Sequence, residues 1–143
     1  MRFDRDGLRF DFPDDWVLDV DADEWGAPSV TVLSPGGGLW SVMESPAEDP
    51  SGGPAEAVAE QMRREYDDVE VEPAQETIEG LRLAGYDFHF ISLDLTVTAT
   101  VRVLVSGTTT RVVFCQADDR EWDEIAPVFA AMTTSLVRGL VGS

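Results

Sequence analysis

Leu95-Thr96-Val97-Thr98-Ala99-Thr100-Val101-Arg102-Val103-Leu104-Val105 is the stretch that decides the fold. Val97, Ala99, Val101, Val103 and Val105 project to one side. Thr96, Thr98, Thr100, Arg102 and Leu104 project to the other. A period of two sustained this long, in Val and Thr, specifies a half-buried antiparallel strand. It belongs at the centre of a sheet whose apolar face is covered by a helix.

Long strands flank it. Leu81–Leu93 places Leu83, Gly85, Asp87, His89 and Ile91 on one face, and Ala84, Tyr86, Phe88, Phe90 and Ser92 on the other. A turn near Ser92–Asp94 joins it to the central strand. Arg111–Gln116 follows after a turn at Gly107. Upstream, Ser29–Ser34 and Leu39–Ser45 form a hairpin about the flexible Pro35-Gly36-Gly37-Gly38 turn, and Gly7–Phe12 is a short first strand. Asp19–Glu24 reads as an acidic loop. Val69–Glu72 and Glu76–Ile78 are extended segments interrupted by Pro73.

Two helices complete the pattern. Pro54–Tyr66 opens on a proline, suited to the first helical position, and carries Ala55, Val58, Ala59, Met62 and Tyr66 on one stripe. The second runs from Glu121 to about Val137, with Ile125, Val128, Phe129, Met132 and Leu136 as its apolar stripe. Asp118 or Asp119 serves as its cap, Pro127 shifts its start or kinks it, and Gly139 stops it. The expected class is α+β, one domain over residues 1–143: an antiparallel sheet of about six strands with two main helices packed against it.

Composition narrows the function. The 143 residues carry 28 acids and ten bases, all Arg, for a net charge of −18. Such a field repels nucleic acid and anionic lipid and attracts basic proteins or cations. With 43% apolar residues the chain has the makings of a core and is not a disordered acidic tail. One cysteine, Cys115, excludes an internal disulfide and a Cys-based zinc cage. The first seven residues have no apolar core, and no apolar run reaches membrane-spanning length, so a cytoplasmic location is expected.

The chemical motifs are incomplete. Asp19-Val20-Asp21-Ala22-Asp23 opens like a calcium loop, but the sixth and twelfth positions are Glu24 and Val30, where Gly and Glu are needed. Pro35–Gly38 is followed by no Lys, so it is no phosphate loop. Glu44 near Trp40 lacks the second carboxylate a glycosidase needs. His89 and Cys115 would make a thiolate dyad only in an electropositive, accessible setting, which nothing in the sequence supplies. No catalytic, cofactor or metal-binding residues are assigned, and an enzyme is not expected.

Phe10-Asp11-Phe12-Pro13-Asp14-Asp15-Trp16 gives an apolar strand, a proline, turn residues and a tryptophan. With helix 54–66, the strand meander 81–116 and the closing Phe129-Ala130-Ala131-Met132-Thr133-Thr134-Ser135-Leu136, the chain resembles the PsbP/Mog-like family, which includes DcrB and the Eag-type secretion chaperones. The resemblance implies a binding or assembly role without chemistry. Family members bind a small GTPase, sit on photosystem II or shield apolar segments of secreted effectors. It supplies no functional residue to carry over. The Eag chaperones present an apolar sheet surface, whereas Thr96, Thr98, Thr100 and Arg102 make one face here rich in hydroxyls.

The expected function is therefore a non-enzymatic acidic protein-binding module, an adaptor or chaperone. Its partner is a basic or partly apolar protein segment, or a second copy in a homodimer. Trp25 and Trp40 are the candidate anchors, since Trp is enriched at interface hot spots. Asp87, His89 and Arg102 are a candidate polar cluster on the outer face of the sheet. The alternative is a small-molecule or cation-binding protein that uses a cleft between sheet and helix.

Overall fold

The computed structural model of the chain describes residues 1–5, 7–22, 28–45, 53–106 and 109–141. Strands β1 (Arg2–Arg5) and β2 (Leu8–Asp11) pair as a separate antiparallel hairpin. The main sheet has seven strands, wholly antiparallel, in the order β3-β4-β5-β9-β8-β7-β6. These are β3 (Val17–Ala22), β4 (Pro28–Leu33), β5 (Leu39–Ser45), β6 (Glu70–Ile78), β7 (Leu81–Ser92), β8 (Leu95–Ser106) and β9 (Thr109–Asp118). Helix α1 spans Pro54–Glu65 and α2 spans Asp119–Val141. The α+β architecture is as the patterning requires, with β8 near the centre, between β7 and β9.

The sheet has more strands than expected, for identifiable reasons. Asp19–Glu24 reads as an acidic loop, yet Asp19–Ala22 belongs to β3, which pairs along its length with β4 as an edge strand. At an edge, one side of the backbone is free and acidic side chains are tolerated. Pro73 does not break β6, because β6 is the opposite edge of the sheet, where a strand tolerates proline. Two tight turns carry the meander. Glu79 and Gly80 have φ of 50° and 82°, and Leu93 and Asp94 have 52° and 64°. Two successive positive φ values are the hairpin geometry that matches strand twist.

The two faces of the sheet are covered differently. On one, α2 and the β1–β2 hairpin pack over Trp40, Val32, Val42, Leu104, Val113 and Cys115. Phe10 lies 4.7 Å from Trp40, and Trp16 and Trp122 pack on Phe129, which α2 sends into the core. On the other face, α1 places Ala59 and Met62 over Phe88, Phe90, Ala99, Val101 and Val112. Tyr66, just past the end of α1, stacks on Phe90 at 4.1 Å.

Helix α2 is longer than its sequence signals. Asp118 caps it: its Oδ1 accepts from the Arg120 backbone N–H at 3.0 Å. Pro127 lies inside the helix and is exposed, as is Asp123, whose carbonyl loses its usual partner. That carbonyl opens to solvent, which is why the proline is tolerated. Gly139 does not stop the helix. It lies inside it, where a Cβ would stand 3.1 Å from the Arg9 carbonyl, so its smallness lets β2 approach.

The Pro35–Gly38 tip is tied down and not loose. Ser34 N–H donates to the Gly38 carbonyl at 2.8 Å, and the Gly38 N–H donates to Ser34 Oγ at 2.7 Å. Ser34 Oγ in turn donates to the Glu121 carboxylate of α2. Cβ atoms at Gly36 and Gly38 would meet Glu121 and Ile125, so the glycines allow this tip to lie against the helix.

Candidate functional site

The polar half of β8 does not face outward. Thr98, Thr100, Arg102 and Leu104 lie on the α2 side, and Thr98 and Leu104 are buried there. Arg102 is 12% exposed at its side chain and is held from several directions. Its Nη2 donates to Asp87 Oδ1 at 2.8 Å, and its Nε donates to Glu76 Oε2 at 3.3 Å. Its Nη1 donates to the carbonyls of Tyr86 and Val101 at 3.1 and 3.0 Å. Gly85 lies opposite Arg102 on β7 and presents no side chain to it.

Asp87 and Arg102 thus come together as the sequence suggested, but in the cleft beneath α2 and not on an outer face. Glu76 joins them from β6. Reading Val69–Ile78 as a broken segment hid it. The signal was the alternation Glu70, Glu72, Ala74, Glu76, which places all four on one side of an edge strand. The cleft holds about 230 Å³ and is walled on the helix side by Trp122, Ala126, Phe129 and Ala130.

His89 stands apart from this cluster. Its Nδ1 lies 3.3 Å from Thr98 Oγ1, and that hydroxyl donates its single proton to Asp119 Oδ1 at 2.7 Å. The Thr98 hydroxyl thus stands between His89 and Asp119. Cys115 is buried, and burial pushes its thiol up to about 12 despite a hydrogen bond with Thr100. Burial disfavours the thiolate, and among the described residues His89 makes its contact with Thr98 and not with Cys115.

Trp40 is not a surface residue. It is fully buried beneath α2, and its Nε1 donates to Thr133 Oγ1 at 3.0 Å. Its strand alternation with Val42, and its pairing opposite Cys115, place it on the sealed face. The anchor expected there is therefore corrected to a core residue. Trp25 lies outside the described residues. Glu44 has a structural partner in Arg111, whose Nη2 lies 3.4 Å from Glu44 Oε1 and 3.5 Å from the Gly7 carbonyl. Among the described residues, no group of three or more His, Cys, Asp or Glu is arranged to hold a metal ion.

A second feature has no counterpart in the sequence reading. Helix α1 covers the β7, β8 and β9 side of its face. Over β3, β4 and β5 the same face leaves Val17, Leu33 and Met43 exposed, at 63%, 38% and 40%. Val17 and Leu33 are paired neighbours across β3 and β4, and Leu39 continues their row on β5. A groove of about 270 Å³ runs between this area and α1, lined by Met43, Val58, Met62, Tyr66 and Phe114 among others. Asp19 on β3 and Glu65 on α1 are exposed acids on this face and at the groove.

The sequence matches no protein-family model and no curated protein. Solved structures do match it. The chain is similar in fold to a cyanobacterial PsbP. That protein, CyanoP of Synechocystis sp. PCC 6803, superposes with a TM-score of 0.62 at 18% identity, over 94% of this chain and 89% of its own. A Pseudomonas aeruginosa protein of unknown function, PA94, described as a putative regulator, superposes with a TM-score of 0.54 at 10% identity, over 95% of this chain and 94% of its own. LpqN of Mycobacterium tuberculosis, involved in cell envelope biogenesis, overlaps at a TM-score of 0.43, 14% identity, over 86% and 78%, which is too loose to argue from. The likeness extends to PsbP-like and related α+β folds and not to the DcrB or Eag chaperones in particular. No helix among the described residues is long and apolar enough to cross a membrane.

Proposed function

We propose that the chain is a non-enzymatic protein-binding module, and that it binds through the open half of its α1 face. The observation that carries this reading is the exposed apolar side chains of that face, Val17 and Leu33 paired across β3 and β4 and Met43 at the α1 groove. Exposed apolar groups gathered on one face and interspersed with polar ones offer an interaction surface. The chain's charge of −18, and the exposed Asp19 and Glu65, give that surface an acidic surround. Its complement is a protein segment with apolar side chains flanked by Lys or Arg. Charge steers the encounter, and apolar burial holds the complex.

The fold shared with CyanoP is compatible with such a role. The buried, alkaline-shifted Cys115 and the ion-paired Arg102 offer no activated nucleophile. A cytoplasmic location remains part of the proposal.

The test is affinity capture from native lysate, with wild type compared with a Leu33→Asp, Met43→Asp double variant at low and high salt. A protein retained by wild type, lost in the variant and weakened by salt supports the reading. Equal retention by both chains, at unchanged thermal stability, removes the open face from the account.

A further inference from the structure

The cleft beneath α2 holds an imbalance that the fold does not use. Arg102 takes one oxygen from each of two carboxylates, Asp87 Oδ1 and Glu76 Oε2. One guanidinium offsets one of the two negative charges, so the trio carries a net charge of −1. Asp87 Oδ2 and Glu76 Oε1 accept no hydrogen bond from the described residues. Both acids line the cleft and remain partly exposed, at 34% and 44% of their side chains.

The rest of the cleft is mainly apolar, with Thr100, Thr133 and Cys115 as its other polar lining. Trp122 and Phe129 contribute aromatic surface, and Ala126 and Ala130, one turn apart on α2, leave the space open above the sheet. An uncommitted acidic end beside an aromatic wall is the combination that recognises an organic cation, by charge-assisted hydrogen bonds and by attraction to the aromatic face. The volume of about 230 Å³ is smaller than pockets that take drug-sized ligands, so the ligand is compact.

We propose that the cleft between the sheet and α2 binds a small organic cation, a primary ammonium carrying a compact apolar group. The site is separate from the open face over β3–β5, so either assignment can fail without the other.

The test is a titration of the full chain with phenethylammonium chloride, read from the Trp122 indole signal in a ¹⁵N correlation spectrum. The signal is assigned by its loss in Trp122→Phe. Phenylethanol and phenylpropionate supply the uncharged and charge-reversed controls. The expected result is a saturable shift for the ammonium and binding at least about tenfold weaker for both controls, the loss of one charge-assisted contact. Ala130→Leu fills the cleft from an exposed helix position without touching the ion pairs, and it should abolish the shift. Asp87→Asn should weaken binding by a similar factor. Absence of a saturable shift in wild type, equal binding of phenylethanol, or an unchanged titration in Ala130→Leu overturns the proposal. The Ala130→Leu result stands even if Asp87→Asn disturbs Arg102.

Discussion

Strands β4 and β5 carry two surfaces on one backbone. Val32 and Val42 are fully buried beneath α2 and the β1–β2 hairpin, whereas their neighbours Leu33 and Met43 stand exposed on the opposite face. Composition does not explain the contrast, since both faces carry large apolar side chains. Coverage explains it. The α2 side is closed by a 23-residue helix together with the separate hairpin. The α1 side has one 12-residue helix packed over β7, β8 and β9 of a seven-stranded sheet. Neighbouring strands lie about 4.8 Å apart and a helix is about 10 Å wide. One helix therefore leaves several strands uncovered. The sealed face accounts for stability, and the half-open face is where recognition is placed.

Substitutions that act on one face and spare the other sharpen this contrast. The largest effect is expected at Trp40. Trp40→Ala empties a fully buried site beneath α2 and leaves Thr133 Oγ1 without its donor. A loss of about 3–5 kcal/mol is expected in urea unfolding. A loss under about 1 kcal/mol would mean that the α2 side is not the sealed one.

Gly38→Ala comes next. The added Cβ would stand 2.4 Å from Ile125 Cδ1 and 2.9 Å from Ser34 Oγ, so Ile125 must repack and the Ser34 hydroxyl must give up its place against Glu121. Overpacking of this kind costs about 1–3 kcal/mol, measurable as a fall in Tm. Gly37→Ala reports backbone strain instead, because Gly37 has φ of 98° and nothing near it for a Cβ to meet.

Cys115 reports the seal through pH. Burial raises its folded value from 9.0 to about 12, so the folded chain keeps a proton that the unfolded chain loses. The unfolded state is then favoured as pH rises from about 9 towards 12. The expected loss is about 1.4 kcal/mol per unit within that window, as an order of magnitude. Cys115→Ala removes this slope, and the difference between the two stability profiles isolates the thiol. A difference profile that stays flat from pH 9 to 11 would show the thiol to be open to solvent.

The smallest effect on stability is expected on the open face. Leu33→Ser and Met43→Ser should each lower unfolding free energy by only about 1 kcal/mol, because both side chains are already partly exposed. A loss of more than about 2 kcal/mol at either position would mean that it is covered after all.

The long strands were legible because alternation is local. Leu95–Val105, Leu81–Ser92 and the stripe of α1 needed no knowledge of their neighbours. The edges were not, since Asp19, Asp21 and Pro73 suit a strand only where one side is unpaired, and that depends on sheet order. Gly139 read as a helix stop because its actual constraint is a contact with Arg9, distant in sequence. The site divides in the same way. Asp87 and Arg102 were visible as same-face residues of adjacent strands. Trp40 was misplaced because its partners Cys115 and Thr133 come from β9 and α2. The open half of the α1 face was invisible, since it exists only through the helix that does not cover it.

The most direct test uses the four methionines as probes. Met43 lies on the open face, Met62 beneath α1, Met132 beneath α2 and Met1 at the exposed N-terminus. Methyl-labelled methionine spectra should be recorded with a soluble nitroxide, before and after addition of the protein that wild type retains. Met43 should broaden with Met1 while Met62 and Met132 stay sharp, and the added partner should restore Met43 alone. A Met43 signal as protected as Met132 in the free chain, or a partner that leaves Met43 broadened, would contradict the assignment of recognition to this face.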